Sequence, residues 1–289
     1  KNLADRIRAQ VNEKRQYSIK RLTEQMCEGE PYGLDKLGFA DEATGISPER
    51  LWERYQTLLR TAPIALYYCG SAPVERVEKA LKDALSGLPE RAAAQLPACD
   101  VIAHAVGEVR CFEDALDVTQ GKLALGWRTG GVTIQSEEYP ALLVLNNVYG
   151  GTTTSKLFMN VRERLSLCYF ASSMLDVQKG LMLVSSGIEF DKYDQAREEI
   201  LAQFQACVEG SFTDQELEAA RRAEVSRLTA YEDSQGLLES YWQARAAAGL
   251  CQKPDELAKA VEQVTKDQVV ELAGKMELDA VYFLKGKEG

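Results

Sequence analysis

Histidine is nearly missing from this chain: His104 is the only one in 289 residues. A hydrolytic zinc centre draws most of its protein ligands from imidazoles, so a single one cannot seat the ion. Any Ser-His-acid or Cys-His arrangement would likewise have to use His104. That residue sits in the apolar run Val101-Ile102-Ala103-His104-Ala105-Val106, which reads as strand or linker before it reads as a base. Paired cysteines are missing too. Cys27, Cys69, Cys99, Cys111, Cys168, Cys207 and Cys251 are scattered, odd in number and never spaced C-x-x-C. That excludes a zinc knuckle and favours free thiols in a reducing cytoplasm over a disulfide framework. No apolar run approaches the ~20 residues that a membrane helix needs. The start, Lys1-Asn2-Leu3-Ala4-Asp5-Arg6, lacks a signal peptide's apolar core and cleavage site. It also lacks an initiator Met, so a chain cut from a longer one is expected. Positive charge is short, with 34 Lys and Arg against 44 Asp and Glu. The resulting net charge of −10 repels duplex nucleic acid and anionic membranes at long range.

What the chain does contain is a packable core. Its 45% apolar content is ordinary for a globular protein, and its length exceeds what one core usually fills, so two α/β units are expected. Helical spacing runs from Asn2 to Glu28 through Leu3, Ile7, Val11, Ile19, Leu22 and Met26. Ser47-Pro48-Glu49 caps a second helix that stops near Pro63, Ile64–Cys69 reads as a strand, and Val74–Leu88 as a helix. The Ala-rich stretch 91–99 has neither pattern and reads as the way into a second unit. Strands are then expected at Val109–Phe112 and Lys122–Trp127, and a helix over Tyr139–Tyr149. A turn at Gly150–Thr154 leads to a helix from Ser155 to about Leu165. Cys168–Ser172 and Leu181–Ile188 read as a hairpin. Long helices follow at Lys192–Glu209, Thr213–Tyr231, Leu237–Ala248 and Asp255–Met276, with a final strand at Ala280–Leu284.

These elements contain a repeat. Ile46-Ser47-Pro48-Glu49-Arg50-Leu51, a helix and Ile64–Gly70 form one copy; Val264-Thr265-Lys266-Asp267-Gln268-Val269, a helix and Ala280–Gly286 form the other. The chain therefore divides into a first α/β domain at 1–95, a linker at 96–106 and a second α/β domain at 107–289. Only 45 residues precede the repeated unit in the first copy, so that domain is expected to lack its opening strands and helix.

Gly150-Gly151-Thr152-Thr153-Thr154-Ser155-Lys156-Leu157 is not a phosphate loop, because Ser155 stands where the second Gly would be and Leu157 where Ser or Thr would be. It reads as a glycine turn feeding a helix capped by Ser155; its backbone N–H groups could also meet a peptide carbonyl or carboxylate. Arg162 and Arg164 read as solvated cations at a helix end, and Tyr169 as a strand aromatic. A fixed guanidinium and a phenol beside a cleft are equally suited to donate to a carbonyl oxygen or an oxyanion. Glu137-Glu138 and Glu198-Glu199 are neighbours along helices and point to different faces. Trp52, Trp127 and Trp242 read as packing residues.

Together, Gly150-Gly151, Ser155-Lys156-Leu157-Phe158, Val161-Arg162-Glu163, Leu167 and Tyr169 resemble the signature of the C-terminal half of pitrilysin/insulysin-type zinc peptidases, which include the mitochondrial processing peptidase group. The resemblance spans essentially the whole chain. It implies an α+β fold of two homologous domains, each a largely antiparallel sheet with packed helices. Glu13–Leu22, continuing through Glu24–Gly33, is similar to a bacterial branch that commonly lacks the metal motif and is encoded beside a metal-containing paralogue. Some members of that branch carry a name linking them to modification of elongation factor P. Active relatives hold zinc through the inverted H-x-x-E-H motif on a helix of the first domain, and no such motif occurs here.

The resemblance implies that Arg162 and Tyr169, with Gly150, Gly151 and Ser155, face peptide rather than perform hydrolysis. The expected function is a non-catalytic, cytoplasmic, peptidase-like subunit that binds peptide and pairs with a zinc-bearing homologue, or with itself as a homodimer. Zinc is expected only in that partner or in a segment upstream of residue 1. Two alternatives stay open: a fragment of an active zinc peptidase whose H-x-x-E-H lies upstream, and a purely structural assembly subunit.

Overall fold

Side chains alternate across a strand, so a strand buried at every position must be covered on both faces. Leu181–Ile188 is such a strand. In the computed structural model, which describes residues 2–88, 91, 100–105 and 107–287, it is β4 of a single sheet. The other strands are β1 (Arg110–Leu116), β2 (Gly121–Arg128), β3 (Cys168–Asp176) and β5 (Glu277–Gly286). Their order is β1-β5-β2-β4-β3, antiparallel except where β1 runs parallel to β5. This mixed α/β architecture, with a mostly antiparallel sheet, is the one expected.

The helices are α1 (Asn2–Ala9), α2 (Lys14–Met26), a short α3 (Ala40–Ala43), α4 (Pro48–Thr61), α5 (Val74–Leu85), α6 (Tyr139–Asn146), α7 (Tyr193–Val208), α8 (Asp214–Thr229), α9 (Gln235–Ala247), α10 (Pro254–Glu262) and α11 (Lys266–Lys275). One face of the sheet, through Leu123, Leu125, Trp127, Val184, Val281 and Phe283, packs on Leu142 of α6, Ile200 and Phe204 of α7 and Leu272 of α11. The opposite face, through Ala124, Leu181, Leu183, Ala280, Tyr282 and Leu284, receives Leu22 and Met26 of α2 and the adjoining Cys27. Helix α2 therefore supplies the second covering layer of the sheet built from 107–287. Each of Leu22 and Met26 contributes about 1.5–3 kcal/mol by this burial.

A polar clamp holds the same contact. Asp279 accepts from Arg128 Nε and from Arg110 Nη2, both at 2.8 Å. The two arginines also donate to the last carbonyls of α2: Arg110 to Gln25 O at 3.0 Å, and both to Met26 O. Those carbonyls have no partner within their own helix and carry the negative end of its dipole, so two guanidiniums suit them. Lys179, almost fully buried, pairs with Glu30 just beyond α2.

Three expectations need correction. The helix expected over 2–28 is broken by a 3-10 turn at Gln10–Asn12. The helix expected over 255–276 is two, because Thr265 starts α11 with a reciprocal cap: Gln268 N donates to Thr265 Oγ1 at 3.3 Å and Thr265 N to Gln268 Oε1 at 2.8 Å. Ile64–Cys69 is not a strand. A strand needs a neighbour for its backbone groups, and no strand among the described residues pairs with it. Ile64, Leu66 and Tyr68 are exposed, as are Leu51, Trp52, Tyr55 and Leu58 of α4. The repeat survives as a capped helix in both copies, but only α11 delivers its chain into a sheet. The expected linker at 96–106 lies partly outside the described residues.

Candidate functional site

The site begins where α6 loses its α-helical pitch. After Asn146 the backbone widens into a π turn over Asn147–Gly151. Glycine is required there by crowding. A Cβ on Gly150 would lie 2.7 Å from the backbone N of Ser173, and one on Gly151 would lie 2.6 Å from the side chains of Asn146 and Asn147. Ser155 then caps the next helix, donating to Thr152 O at 2.6 Å and accepting from Phe158 N at 3.4 Å. That helix, Leu157–Arg164, is itself π-wound, a rare geometry that occurs frequently at functional sites. It closes with Leu165 N donating to Asn160 O at 3.1 Å, and Ser166 at φ +50° turns the chain into β3.

These irregular turns shape a cavity of about 360 Å³. Gly150, Gly151, Thr152 and Thr153 form one wall; Phe158 and Arg162 of the π-helix, Phe170 and Ser172 of β3, and Arg15 of α2 form the rest. The Arg162 guanidinium lies over the Phe158 ring, 4.6 Å from its centroid. Arg15 lies over Phe170 at 4.4 Å and donates from Nη2 to Ser172 Oγ at 2.8 Å. A guanidinium attracted to a ring in this way still has N–H donors to offer a ligand. The pair between Arg162 Nε and Glu163, 3.6 Å long and half-exposed, competes weakly.

Of the residues singled out from the sequence, Gly150, Gly151 and Arg162 meet at this cavity. Ser155 is buried beneath it as a cap. Tyr169 is 63% exposed on β3, outside the cavity lining, and its hydroxyl donates to Glu189 Oε1 at 2.7 Å. That carboxylate pushes the phenol above its ordinary pKa, so Tyr169 stays a neutral donor. Sequence reasoning missed Arg15, Phe170 and Ser172. Arg15 lies within the stretch that carries the narrower resemblance, but nothing local to it signals a cavity.

A larger cavity, about 830 Å³, opens between α1, α2 and the segment 31–37. Its Lys20 pairs with Asp35 and with Glu24, the latter at 3.5 Å. His104 is exposed and bonds Glu277 Oε1 at 2.9 Å, while Glu277 Oε2 accepts from Ala105 N at 2.9 Å. Among the described residues no three His, Cys, Asp or Glu side chains converge as metal ligands. The residues present do not fit the zinc ion that the resemblance associates with active members.

Residues 45–224 match the family model described as the peptidase M16 inactive domain. A Bacillus subtilis (strain 168) protein named probable inactive metalloprotease YmfF is 38% identical over 294 aligned residues, covering the whole chain and 67% of that protein. The same organism's uncharacterized zinc protease YmxG is 26% identical over 55% of this chain and 39% of its own length. A conserved protein of Enterococcus faecalis V583 has the same fold, with a TM-score of 0.88 at 24% identity, over the whole chain and 67% of that structure. A peptidase M16 inactive domain from Pseudomonas fluorescens follows at 0.76 and 16%, over 99% and 68%. The chain belongs to the M16 peptidase family, through the part described as its inactive domain.

Proposed function

We propose that this chain is a non-catalytic M16 subunit, acting in the cytoplasm, that binds an extended peptide and pairs with a zinc-bearing homologue. The observation that carries this reading is the cavity between α2 and the π-wound helix, where a glycine turn and the stacked guanidinium of Arg162 face the same space. Backbone N–H groups and a guanidinium donate to peptide carbonyl oxygens, which suits binding. Hydrolysis by the zinc route needs in addition a metal-activated water, and one histidine, exposed and engaged by Glu277, is too few imidazoles to hold that metal. Tyr169, exposed at the start of β3, joins this reading as a second donor only if a peptide displaces Glu189 from its hydroxyl. The name of the B. subtilis relative, a probable inactive metalloprotease, agrees with it.

The test is fluorescence anisotropy of a labelled, unstructured peptide against the full chain, alone and mixed with an M16 homologue that carries H-x-x-E-H. Binding should be measurable, and Arg162→Ala should weaken it by about tenfold, the worth of one charged hydrogen bond. Size-exclusion chromatography should show the two chains co-eluting. A chain that binds no peptide while still joining its homologue would instead be a structural assembly subunit.

A further inference from the structure

The cavity has a charge character of its own. In a protein of net charge −10, none of its lining residues is acidic, and two of them are arginines. Of the remaining polar groups, the hydroxyls of Thr153 and Ser172 can donate, while that of Thr152 already donates to Asn147 O at 3.2 Å. The two arginines come from separate parts of the fold: Arg162 from the π-wound helix, and Arg15 from the exposed first turn of α2. Arg15 spends one donor on Ser172 Oγ, and among the described residues it forms no ion pair within 4 Å. Its ring partner Phe170 fixes the plane of the guanidinium without offering an acceptor. The anchorage of α2 on the sheet through Leu22, Met26 and the Asp279 clamp keeps Arg15 at the cavity mouth.

A peptide carbonyl needs one good donor, whereas a carboxylate takes two or more and brings the negative charge that this space lacks. We infer that Arg15 is a specificity-determining residue, and that the cavity selects peptides presenting a carboxylate between Arg15 and Arg162. This inference rests on the peptide-binding reading above and adds the class of peptide to it. The carboxylate is either an acidic side chain or a free C-terminus, since both carry the same group.

Three labelled peptides of one backbone sequence separate these sources when titrated into the full chain. One has a single internal Glu and an amidated C-terminus, one has Gln in its place and a free C-terminus, and one has Gln and an amide. At least one acid-bearing peptide should bind about tenfold more tightly than the neutral one, and the one that does identifies the source. Arg15→Ala should abolish the difference between the acid-bearing and neutral peptides. Arg15→Lys should keep only part of it, because a point charge replaces a planar fork. Because Arg15 is exposed, its replacement leaves the core intact; matching circular dichroism checks this. Equal binding of all three peptides to the wild-type chain would overturn the selection while leaving the peptide-binding reading in place. Binding of none would overturn both.

Discussion

Arg128 Nε donates to Asp279 Oδ2 at 2.8 Å, and both side chains are only 1% exposed. Asp279 is shared with Arg110, and the guanidiniums carry on to the last carbonyls of α2. One carboxylate thus ties three strands to a helix that begins almost a hundred residues upstream of the first of them. Breaking a buried pair by removing one partner leaves uncompensated charge, at a cost of about 3–5 kcal/mol. Asp279→Asn should lower stability by that amount in urea denaturation and should raise amide exchange in α2. Unchanged exchange in α2 would show that the apolar contacts of Leu22 and Met26 suffice to hold it.

Arg245, at the end of α9, makes the opposite case. It is 1% exposed, and its Nε and Nη1 have no hydrogen-bond partner. Its Cζ lies 4.7 Å from the ring centroid of Tyr241 and 5.2 Å from that of Tyr139. Ring faces attract a cation by about 0.5–2 kcal/mol each, less than the several kcal/mol that burial of an ion costs. Arg245→Met should therefore raise stability by about 1–3 kcal/mol, whereas Arg245→Lys, keeping the charge without the flat stacking, should lower it. Thermal and urea denaturation of both variants decide the sign.

Gly150 marks the tightest point of the site. Alanine there would drive a methyl into the backbone of β3 at Ser173, and overpacking of this kind costs about 1–3 kcal/mol. Gly150→Ala should destabilise the chain by that much and weaken peptide binding further, because β3 carries Phe170 and Ser172. Gly29, where a Cβ meets nothing within 4 Å, sits at φ +82°. Replacement there should cost about 1 kcal/mol through backbone strain alone and leave binding untouched.

Asp114 gives the chain an acid-side pH dependence. Burial works against its ionised form, but hydrogen bonds from Tyr282 at 2.8 Å and Arg21 at 2.9 Å outweigh it and hold the carboxyl below its ordinary range. A depressed folded-state pKa contributes stability that is complete above the unfolded value of about 3.9 and is lost as pH falls through the folded value. Asp114→Asn should be less stable than wild type at neutral pH, and its stability should fall less steeply below about pH 4. A wild-type curve that is flat in that window would remove the assignment.

How much of this was readable in advance differs between elements. The hairpin of β3 and β4 was legible because two short apolar runs flank Gly180, whose φ of +70° suits a turn. The start of α4 was legible because Ser47 caps it locally, accepting from Arg50 N at 3.3 Å. Ile64–Cys69 misled because its composition is that of a strand, while strand formation depends on a neighbour that composition does not report. The π winding of Leu157–Arg164 was read only as helix, since its hydrophobic spacing departs little from an α pattern over so short a span.

At the site, Gly150, Gly151 and Arg162 were found through a motif contiguous in sequence, which is the kind of signal one chain carries. Arg15 was not. Its place opposite Arg162 follows from α2 crossing the sheet, decided by the fit of Leu22 and Met26 against Ala124, Leu183 and Tyr282. Tyr169 was named from the same motif as Arg162, yet strand geometry points it to Glu189, outside the cavity lining.

The amino-acid order alone determined the shortage of metal ligands, the acidic surface, the caps and the alternating strands, because each of these is a count or a local spacing. Only the tertiary structure decided that α2 covers the second face of the sheet and that two arginines share one acid-free cavity. Contacts between distant segments arise from shape and burial across the whole molecule, which no window of sequence contains.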